Sequence, residues 1–195
     1  LIFRGLLDYD EHNRLIGEQA SNWELSPDKK IYTFRLKPGI RFGHGREVEA
    51  EDYVFALERL LNPKTGASMF HHFLAILGAE EFAKGKATNV IGLRAPDRRT
   101  LVIELAHPSV VFPLKLTLPC AFPAPRELVR QWGHKFGQHL VGSGPYRLKD
   151  HQRGLGWRFE RNPYYEGPDG FVDAVELTIG GDAALITMRV ERGEV

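Results

Sequence analysis

The strongest constraint on the fold is a change in hydrophobic period along the chain. Residues 31–36 (IYTFRL) alternate between apolar and polar side chains, with Tyr32, Phe34 and Leu36 on one face, which is typical of a β-strand. Residues 49–63 (EAEDYVFALERLLNP) repeat at helical spacing, open with acidic residues and end in Asn-Pro, which predicts a helix. A chain that carries both periods has to combine sheets with helices.

Both patterns recur along the rest of the chain, so we predict an α+β fold with mixed sheets and two lobes. The segment ASNWELSPDKK (20–30) is instead interpreted as turn-rich. The further predicted elements are a helical piece interrupted near Gly78 (69–85), a hairpin that turns at Pro96-Asp97 (90–106), a short helix (125–133), two strands (157–160 and 175–179) and a last helix capped by Asp182.

Composition argues against several classes of protein. The formal net charge is +1 and no basic stripe is visible, so nucleic-acid binding by this segment is not predicted. The apolar run at 112–122 is broken by prolines and a lysine, which argues against a membrane span. Cys120 is the single cysteine and leaves the redox compartment open. The sequence starts at LIFRGLLDYD and stops at RVERGEV, so we expect a fragment or a processed product.

Residues that could carry chemistry lack the spacing that the chemistry requires. His71 and His72 are adjacent, and His134 and His139 are five positions apart, so neither pair shares one helical face and no metal site is predicted. Ser143 lies in GSGP with glycines directly beside it, whereas a hydrolase nucleophile has them two positions away. We therefore predict a binding protein rather than an enzyme, and no cofactor.

Six stretches, taken in order, carry a family resemblance. They are FRGLLDYDEHNRLIGEQASNWELSPDKKIYTFRLKPGIRF, AEDYVFALERLLNP, RTLVIELAHP, GSGPYRLKDH, ERNPYYEG and the closing helix that leads to RGEV. Together they resemble family 5 of the bacterial extracellular solute-binding proteins, the peptide- and nickel-type class of ABC importers. Each stretch is weak alone, and their shared order makes the resemblance specific.

The resemblance implies a periplasmic-binding-protein-like fold (class II, cluster C). Residues 1–30 and 141–195 would form parts of the first ligand-binding lobe, residues 31–140 would form an inserted small α/β domain, and the second lobe would be missing. The implied function is the solute-binding component of an ABC importer, which binds a peptide or a similar small solute by lobe closure and delivers it to a membrane permease. The implied location is periplasmic or extracellular, with a membrane-anchored lipoprotein as one form.

A ligand site is also implied by the resemblance. The family often places an aromatic residue against the ligand near position 70, and the glycine-rich turn before residue 147 would present backbone N–H and C=O groups to a peptide. The residues assigned in this way are Ser68, Met69, Phe70, Gly142, Ser143, Gly144, Pro145 and Tyr146.

Two positions depart from the family pattern. His44 stands where the family usually has an acidic residue, and Glu49 stands where a Thr or Ser usually opens the following helix. The second change removes a preferred N-cap, a loss of about 1 kcal/mol. Neither position lies in the expected ligand cleft.

Two other functions remain open at this level. Domains of this class also occur in cytoplasmic transcriptional regulators, where the same cleft would sense a small molecule. An enzyme that uses Ser143 or a metal–histidine site is a third hypothesis, which predicts loss of turnover in Ser143→Ala. If the chain is truncated, unpaired sheet edges predict a homo-oligomer or poor solubility.

Overall fold

The computed structural model describes residues 1–167, 172–180 and 182–193. Antiparallel strands and short helices alternate along these segments. The strands are β1 (Leu7–Tyr9), β2 (Leu15–Gly17), β3 (Ala20–Leu25), β4 (Ile31–Leu36), β5 (Leu93–Asp97), β6 (Thr100–Glu104), β7 (Tyr146–Gln152), β8 (Gly156–Arg161) and β9 (Ala174–Thr178). The α-helices are α1 (Ala50–Leu61), α2 (Ala79–Ala83), α3 (Phe112–Lys115), α4 (Arg126–Trp132) and α5 (Ala183–Glu191), and 3-10 turns lie at Pro63–Thr65, Phe70–Phe73, Pro119–Ala121 and Gly133–Gln138.

The described strands form three antiparallel sheets. β1 and β2 make a hairpin, β3-β4-β6-β5 make a four-stranded sheet, and β7-β8-β9 make a three-stranded sheet. In the four-stranded sheet Phe34 pairs with Leu101 and Tyr32 with Ile103, so residues of one parity face the same side. The alternation seen in the sequence is therefore the alternation between a buried and a more exposed face.

Helix α1 covers that buried face. Tyr53, Leu57 and Leu61 from the helix are at most 1% exposed and share one core with Phe34 and Leu101, which are fully buried. Burying each such side chain stabilises the fold by about 1.5–3 kcal/mol before the cost of chain ordering. This core forms because the helical and the alternating patterns place their apolar positions opposite each other.

The start of α1 compensates for the missing Thr or Ser cap. Glu49 is the N-cap residue, and its backbone N–H donates to the carboxylate of Asp52, three residues on, at 2.9 Å. That contact is the return half of a capping box. The Glu49 carboxylate itself accepts from Arg98 and Arg126 at 2.9 and 3.2 Å.

Among the described residues, the three-stranded sheet has a much smaller core. The buried members of its cluster are Ile2, Tyr146 and Phe159. At its far edge Leu177 is 49% exposed, and Ile179, just beyond β9, is 44% exposed. Its other face carries ion pairs, such as Glu160 with Arg147 at 2.7 Å and with Lys149 at 3.0 Å.

Most predicted elements are confirmed. Helix α1, strands β4, β8 and β9, helix α4 and the Asp182 cap of α5 are present, and Gly78, at φ +81°, interrupts the second helical piece. That piece is a 3-10 turn followed by one α-helical turn and a half, so its regular part is shorter than predicted. No described helix is long and apolar enough to cross a membrane.

Two predictions about turns are wrong. Residues 20–25 form strand β3, because Trp23 and Leu25 pack against the core and the strand pairs with β4; only the stretch from Ser26 to Lys30 turns. The β5–β6 hairpin turns at Arg98-Arg99 rather than at Pro96-Asp97, since Asp97 pairs with Thr100. The Asp97 carboxylate fixes this turn by accepting from the Arg99 N–H at 2.8 Å.

The division at residues 30 and 140 remains a prediction. Pairing of β3 with β4 crosses the first of these boundaries. The predicted segment 141–195 includes positions 168–171, 181, 194 and 195, which lie outside the described residues.

Candidate functional site

One member of the first predicted contact group, Phe70, lines an apolar cavity at the end of α1. Phe70 is 38% exposed, Ser68 is exposed, and Met69 is half-buried at the start of the 3-10 turn. The cavity has a volume of about 310 Å³ and opens to solvent. Its walls include Leu60, Leu61, Pro63, Ala67, Phe70 and Ala83. Such a lining suits an apolar side chain of a ligand.

The second predicted contact group, the turn 142–146, is a tight junction with the first residues of the chain. A Cβ on Gly142 would lie 2.3 Å from the Ile2 carbonyl oxygen, and one on Gly144 would lie 2.5 Å from the Leu1 carbonyl oxygen. Both distances are shorter than any real contact, so only glycine fits. The close approach that these glycines allow is therefore made by the chain's own backbone.

Several polar groups of this turn already have partners. The Gly144 N–H donates to the Ile2 carbonyl at 2.6 Å, and the Gly142 carbonyl accepts from the Gly43 N–H at 2.8 Å. The side-chain amide of Asn162 donates to the Gly144 carbonyl at 2.9 Å. These bonds join the loop after β4, the residues that flank β7 and β8, and the N-terminal segment, so the turn is first of all a joint. Its role in ligand contact stays a prediction.

Ser143 lies at the centre of this joint in a buried polar chain. Its hydroxyl accepts from the Gln19 side-chain amide at 2.5 Å, and the Gln19 carbonyl oxygen accepts from the Tyr53 hydroxyl at 2.8 Å. All three residues are at most 2% exposed. Burial raises the pKa of Tyr53 well above its usual value, which keeps the phenol protonated as a donor. A buried chain of hydrogen-bonded polar side chains rigidifies its surroundings.

A second cavity, of about 380 Å³, opens beside Ser143. We call it the joint cavity. Its lining includes Arg4, Glu18, Lys37, Arg41, Ser143, Tyr164, Tyr165 and Glu166. The Arg4 guanidinium pairs with Glu18 and lies 4.9 Å from the centre of the Tyr165 ring. Charged and aromatic groups at the meeting point of two sheets are typical of a ligand site.

The structure does not bring the two predicted groups into one cavity. The residues that line the Phe70 cavity and those that line the joint cavity have no member in common. Met69 and Phe70 follow α1, whereas Ser143 lies between the sheets. A ligand contacting both groups would have to extend beyond either cavity.

Sequence reasoning missed an ion-pair cluster next to the joint. Asp52 is fully buried and accepts from Arg46 at 2.7 and 2.9 Å. Arg46 also donates to Glu127 of α4, and the His44 ring lies 2.9 Å from the same carboxylate. His44 and Arg46 thus share one carboxylate, that of Glu127. Since 81 residues separate Arg46 from Glu127, no local pattern could predict the pair.

Ion pairing keeps Arg46, Glu127 and Glu49 charged. Burial alone would lower the pKa of Arg46, but hydrogen bonds from its guanidinium to Asp52 and Glu127 outweigh burial and raise that pKa. For Glu127 burial would raise the pKa, and the bond to Arg46 lowers it below the usual value. For Glu49, too, burial would raise the pKa, and the bonds to Arg98 and Arg126 lower it below the usual value.

Neither Ser143 nor Cys120 shows the activation that a catalytic nucleophile needs. Ser143 is bonded to Gln19, whose amide cannot act as a general base. Burial raises the pKa of the half-buried Cys120 thiol, which disfavours a nucleophilic thiolate. No group of three metal-ligating side chains lies close enough to hold an ion within this part of the chain.

Comparison with known proteins identifies the family. The family model described as bacterial extracellular solute-binding proteins, family 5 middle, matches residues 14–195. The chain is 30% identical over 169 residues to the periplasmic oligopeptide-binding protein OppA of Haemophilus influenzae, which covers 84% of this chain and 31% of that protein. It is 33% identical over 153 residues to the probable deoxycholate-binding periplasmic protein YgiS of Escherichia coli, which covers 75% of this chain and 28% of that protein.

A solved structure extends the match to the whole chain. The substrate-binding domain of an oligopeptide ABC transporter from Bacillus anthracis superposes with a TM-score of 0.91 at 28% identity, covering 100% of this chain and 38% of that chain. This match confirms the predicted periplasmic-binding-protein-like fold, present in part. The chain spans less than a third of the length of the two curated relatives. The chain belongs to family 5 of the bacterial extracellular solute-binding proteins.

Proposed function

We propose that the chain is part of the solute-binding component of an ABC importer, which captures a peptide or a similar small solute and delivers it to a membrane permease. The observation that carries the proposal is the family match over residues 14–195, joined to the superposition on an oligopeptide-transporter domain. Capture would proceed by closure of two lobes over the ligand, without chemistry on it. The proposed location is outside the cytoplasm, with a lipid anchor as one form.

The proposed division of labour follows the family resemblance. Residues 1–30 and 141–195 belong to the first ligand-binding lobe, and residues 31–140 form the inserted small domain. Ser68, Met69 and Phe70 contact the ligand from one side, and the turn 142–146 does so from the other. The apolar cavity beside Phe70 supports the first assignment, and the joint cavity beside Ser143 supports the second.

Regulation and catalysis are not part of the proposal. The relatives described above are named as binding proteins, and they give no support to the hypothesis of a cytoplasmic regulator. The Ser143 hydroxyl is engaged with Gln19, which gives no support to a nucleophile.

Gentle native mass spectrometry of the purified full-length protein tests solute capture. We expect a small mass that travels with the protein, disappears on denaturation and is displaced by added trialanine. Phe70→Ala should weaken trialanine binding severalfold. The matched control is Val110→Ala, because Val110 is 63% exposed and lies outside both cavities. A protein that carries no small mass and binds no trialanine would contradict the proposal.

Self-association is a further part of the proposal. Leu177 and Ile179 leave apolar surface at the edge of the three-stranded sheet, and β9 has no outer partner among the described strands. Light scattering over a range of concentrations should show a dimer that Leu177→Lys weakens. A monodisperse monomer at every concentration would contradict it.

A further inference from the structure

The joint cavity carries a pattern of donors that indicates the chemistry of its ligand. We propose that the joint cavity binds a carboxylate group of a small solute. The inference deepens the proposed function, on which its biological role rests, by naming the ligand chemistry of one site.

The charge of the lining favours an anionic ligand group. Three of the lining side chains are cationic, Arg4, Lys37 and Arg41, and two are anionic, Glu18 and Glu166. A single carboxylate would therefore neutralise the cavity, whereas a cationic group would add to its excess positive charge. In a partly enclosed site this difference is larger than it would be in open water.

Two of the cations keep hydrogen-bond donors for a ligand. The Lys37 ammonium donates to the backbone carbonyls of Gly17 and Glu18 at 3.0 and 2.8 Å, which engages two of its three N–H groups. The Arg41 guanidinium donates to the Gly45 carbonyl at 2.9 Å, and in the described part of the chain this is one of its five N–H groups. Both side chains are thus anchored at the wall and still able to donate.

Gln19 determines what Ser143 can do. Its Nε2 lies 2.5 Å from the Ser143 hydroxyl and 3.4 Å from the Arg4 backbone carbonyl. A carbonyl can only accept, so this end of the amide has to be the N–H end, and its oxygen faces the Tyr53 hydroxyl. The Ser143 oxygen therefore accepts from Gln19 and keeps its own proton for another acceptor. Ser143 borders the joint cavity, where a carboxylate oxygen is such an acceptor.

The aromatic wall is held close by a glycine. A Cβ on Gly45 would lie 3.1 Å from the Tyr164 ring, which is tighter than ordinary contact, so glycine lets this ring rest on the loop that carries Arg41. Tyr164 and Tyr165 each add a phenolic O–H, which can donate to an anion. Cations, a serine proton and phenols thus line one cavity, which suits a group that only accepts hydrogen bonds.

Titration with propionate, followed by amide NMR of the full chain at constant ionic strength, tests the inference. We expect saturable shifts at Lys37, Ser143 and Tyr164, and none with propionamide, which has the same shape without the charge. Lys37→Gln should weaken propionate binding at least fivefold. Lys86→Gln removes the same charge from a residue outside the cavity lining and should leave binding unchanged. Equal shifts with propionamide, or unchanged binding in Lys37→Gln, would overturn the inference.

Trialanine and trialanine amide separate this inference from the proposed function. If both peptides bind equally and Lys37→Gln affects neither, peptide capture stands and the carboxylate site is overturned. If propionate binds with the expected variant pattern and neither peptide binds, the carboxylate site stands and peptide capture fails. Failure of propionate and of both peptides overturns both.

Discussion

The two larger sheets of this chain differ in how far their apolar faces are buried. Both are antiparallel, and both place apolar residues at alternate positions. The four-stranded sheet has α1 across its apolar face, so Phe34 and Leu101 are fully buried. In the three-stranded sheet the described residues bury Phe159 and Tyr146 at one end and leave Leu177 half exposed at the other.

The difference shows that alternation produces strands but does not by itself produce a core. A sheet face becomes a core when another element removes it from water, and the stabilisation follows the apolar area that is covered. In the four-stranded unit that element is close in sequence, since α1 begins 14 positions after β4 ends. The three-stranded unit relies instead on the joint around Ser143, where backbone bonds and a buried polar chain attach it to the rest.

Substitution of Asp52 should produce the largest loss of stability, and it should destabilise mainly the four-stranded unit. Asp52→Ala leaves Arg46 without its buried partner and removes the acceptor at the start of α1. Removing one partner of a fully buried pair costs about 3–5 kcal/mol in the free energy of unfolding, and we expect the lower end of that range because Arg46 is 28% exposed and keeps Glu127. Urea unfolding measures it, and Asp150→Ala, at an exposed carboxylate, is the control. Equal stability of the two variants would contradict the stabilising role assigned to the buried Asp52 pair.

A substitution in the joint should affect mainly the three-stranded unit. A Cβ at Gly144 would collide with backbone atoms of Leu1 and Ile2, which have to move. We expect Gly144→Ala to cost about 1–3 kcal/mol, the usual range for overpacking. Faster amide exchange in β7 and β8, with little change in β4, would show that the joint stabilises mainly the three-stranded unit. Gly137→Ala is the matched control, because an added Cβ there meets nothing within 4 Å.

Acid should weaken the ion-pair cluster by a smaller amount. The folded-state pKa values of Glu49 and Glu127 are lowered, so on acidification the unfolded chain binds protons first. The contribution of these two residues is present above the ordinary carboxylate pKa of about 4.3 and is lost as the pH falls through their lower folded values. Because Glu127 is partly exposed, we expect less than about 1 kcal/mol from it.

Unfolding by urea at a series of pH values measures this contribution. Glu127→Gln should flatten the pH dependence below about pH 5, where the wild-type chain loses stability. Glu11→Gln is the control, since the Glu11 side chain is 86% exposed. A steeper dependence in Glu127→Gln would contradict the assignment.

The sequence predicted local structure well where the period was clear. α1 and β4 repeat their apolar positions without interruption, and both lie where the pattern placed them. β3 was missed because Ser21 and Asn22 are poor strand formers, and it forms because tertiary pairing with β4 overrides that preference. The hairpin turn was placed too early because the carboxylate of Asp97 stabilises a turn after it, not at it.

The joint was beyond sequence reasoning for a different reason. The turn with Gly142 and Gly144 was expected to face a ligand, yet the partner that these glycines meet is the first two residues of the chain. Gln19 and Ser143 are 124 positions apart, so no local pattern could pair them. Contacts of this kind follow from the way the sheets meet, so the cavity beside Ser143 becomes visible only in three dimensions.

Native-state amide hydrogen exchange tests whether the four-stranded unit is well packed and the three-stranded unit, attached to it by the joint, is weakly packed. We predict the slowest exchange in β4, β6 and α1, and exchange at least tenfold faster in β8 and β9. Gln19→Leu, which removes the buried polar chain, should widen that gap. Equal protection of the two sheets, or greater protection of β8 and β9, would contradict the account.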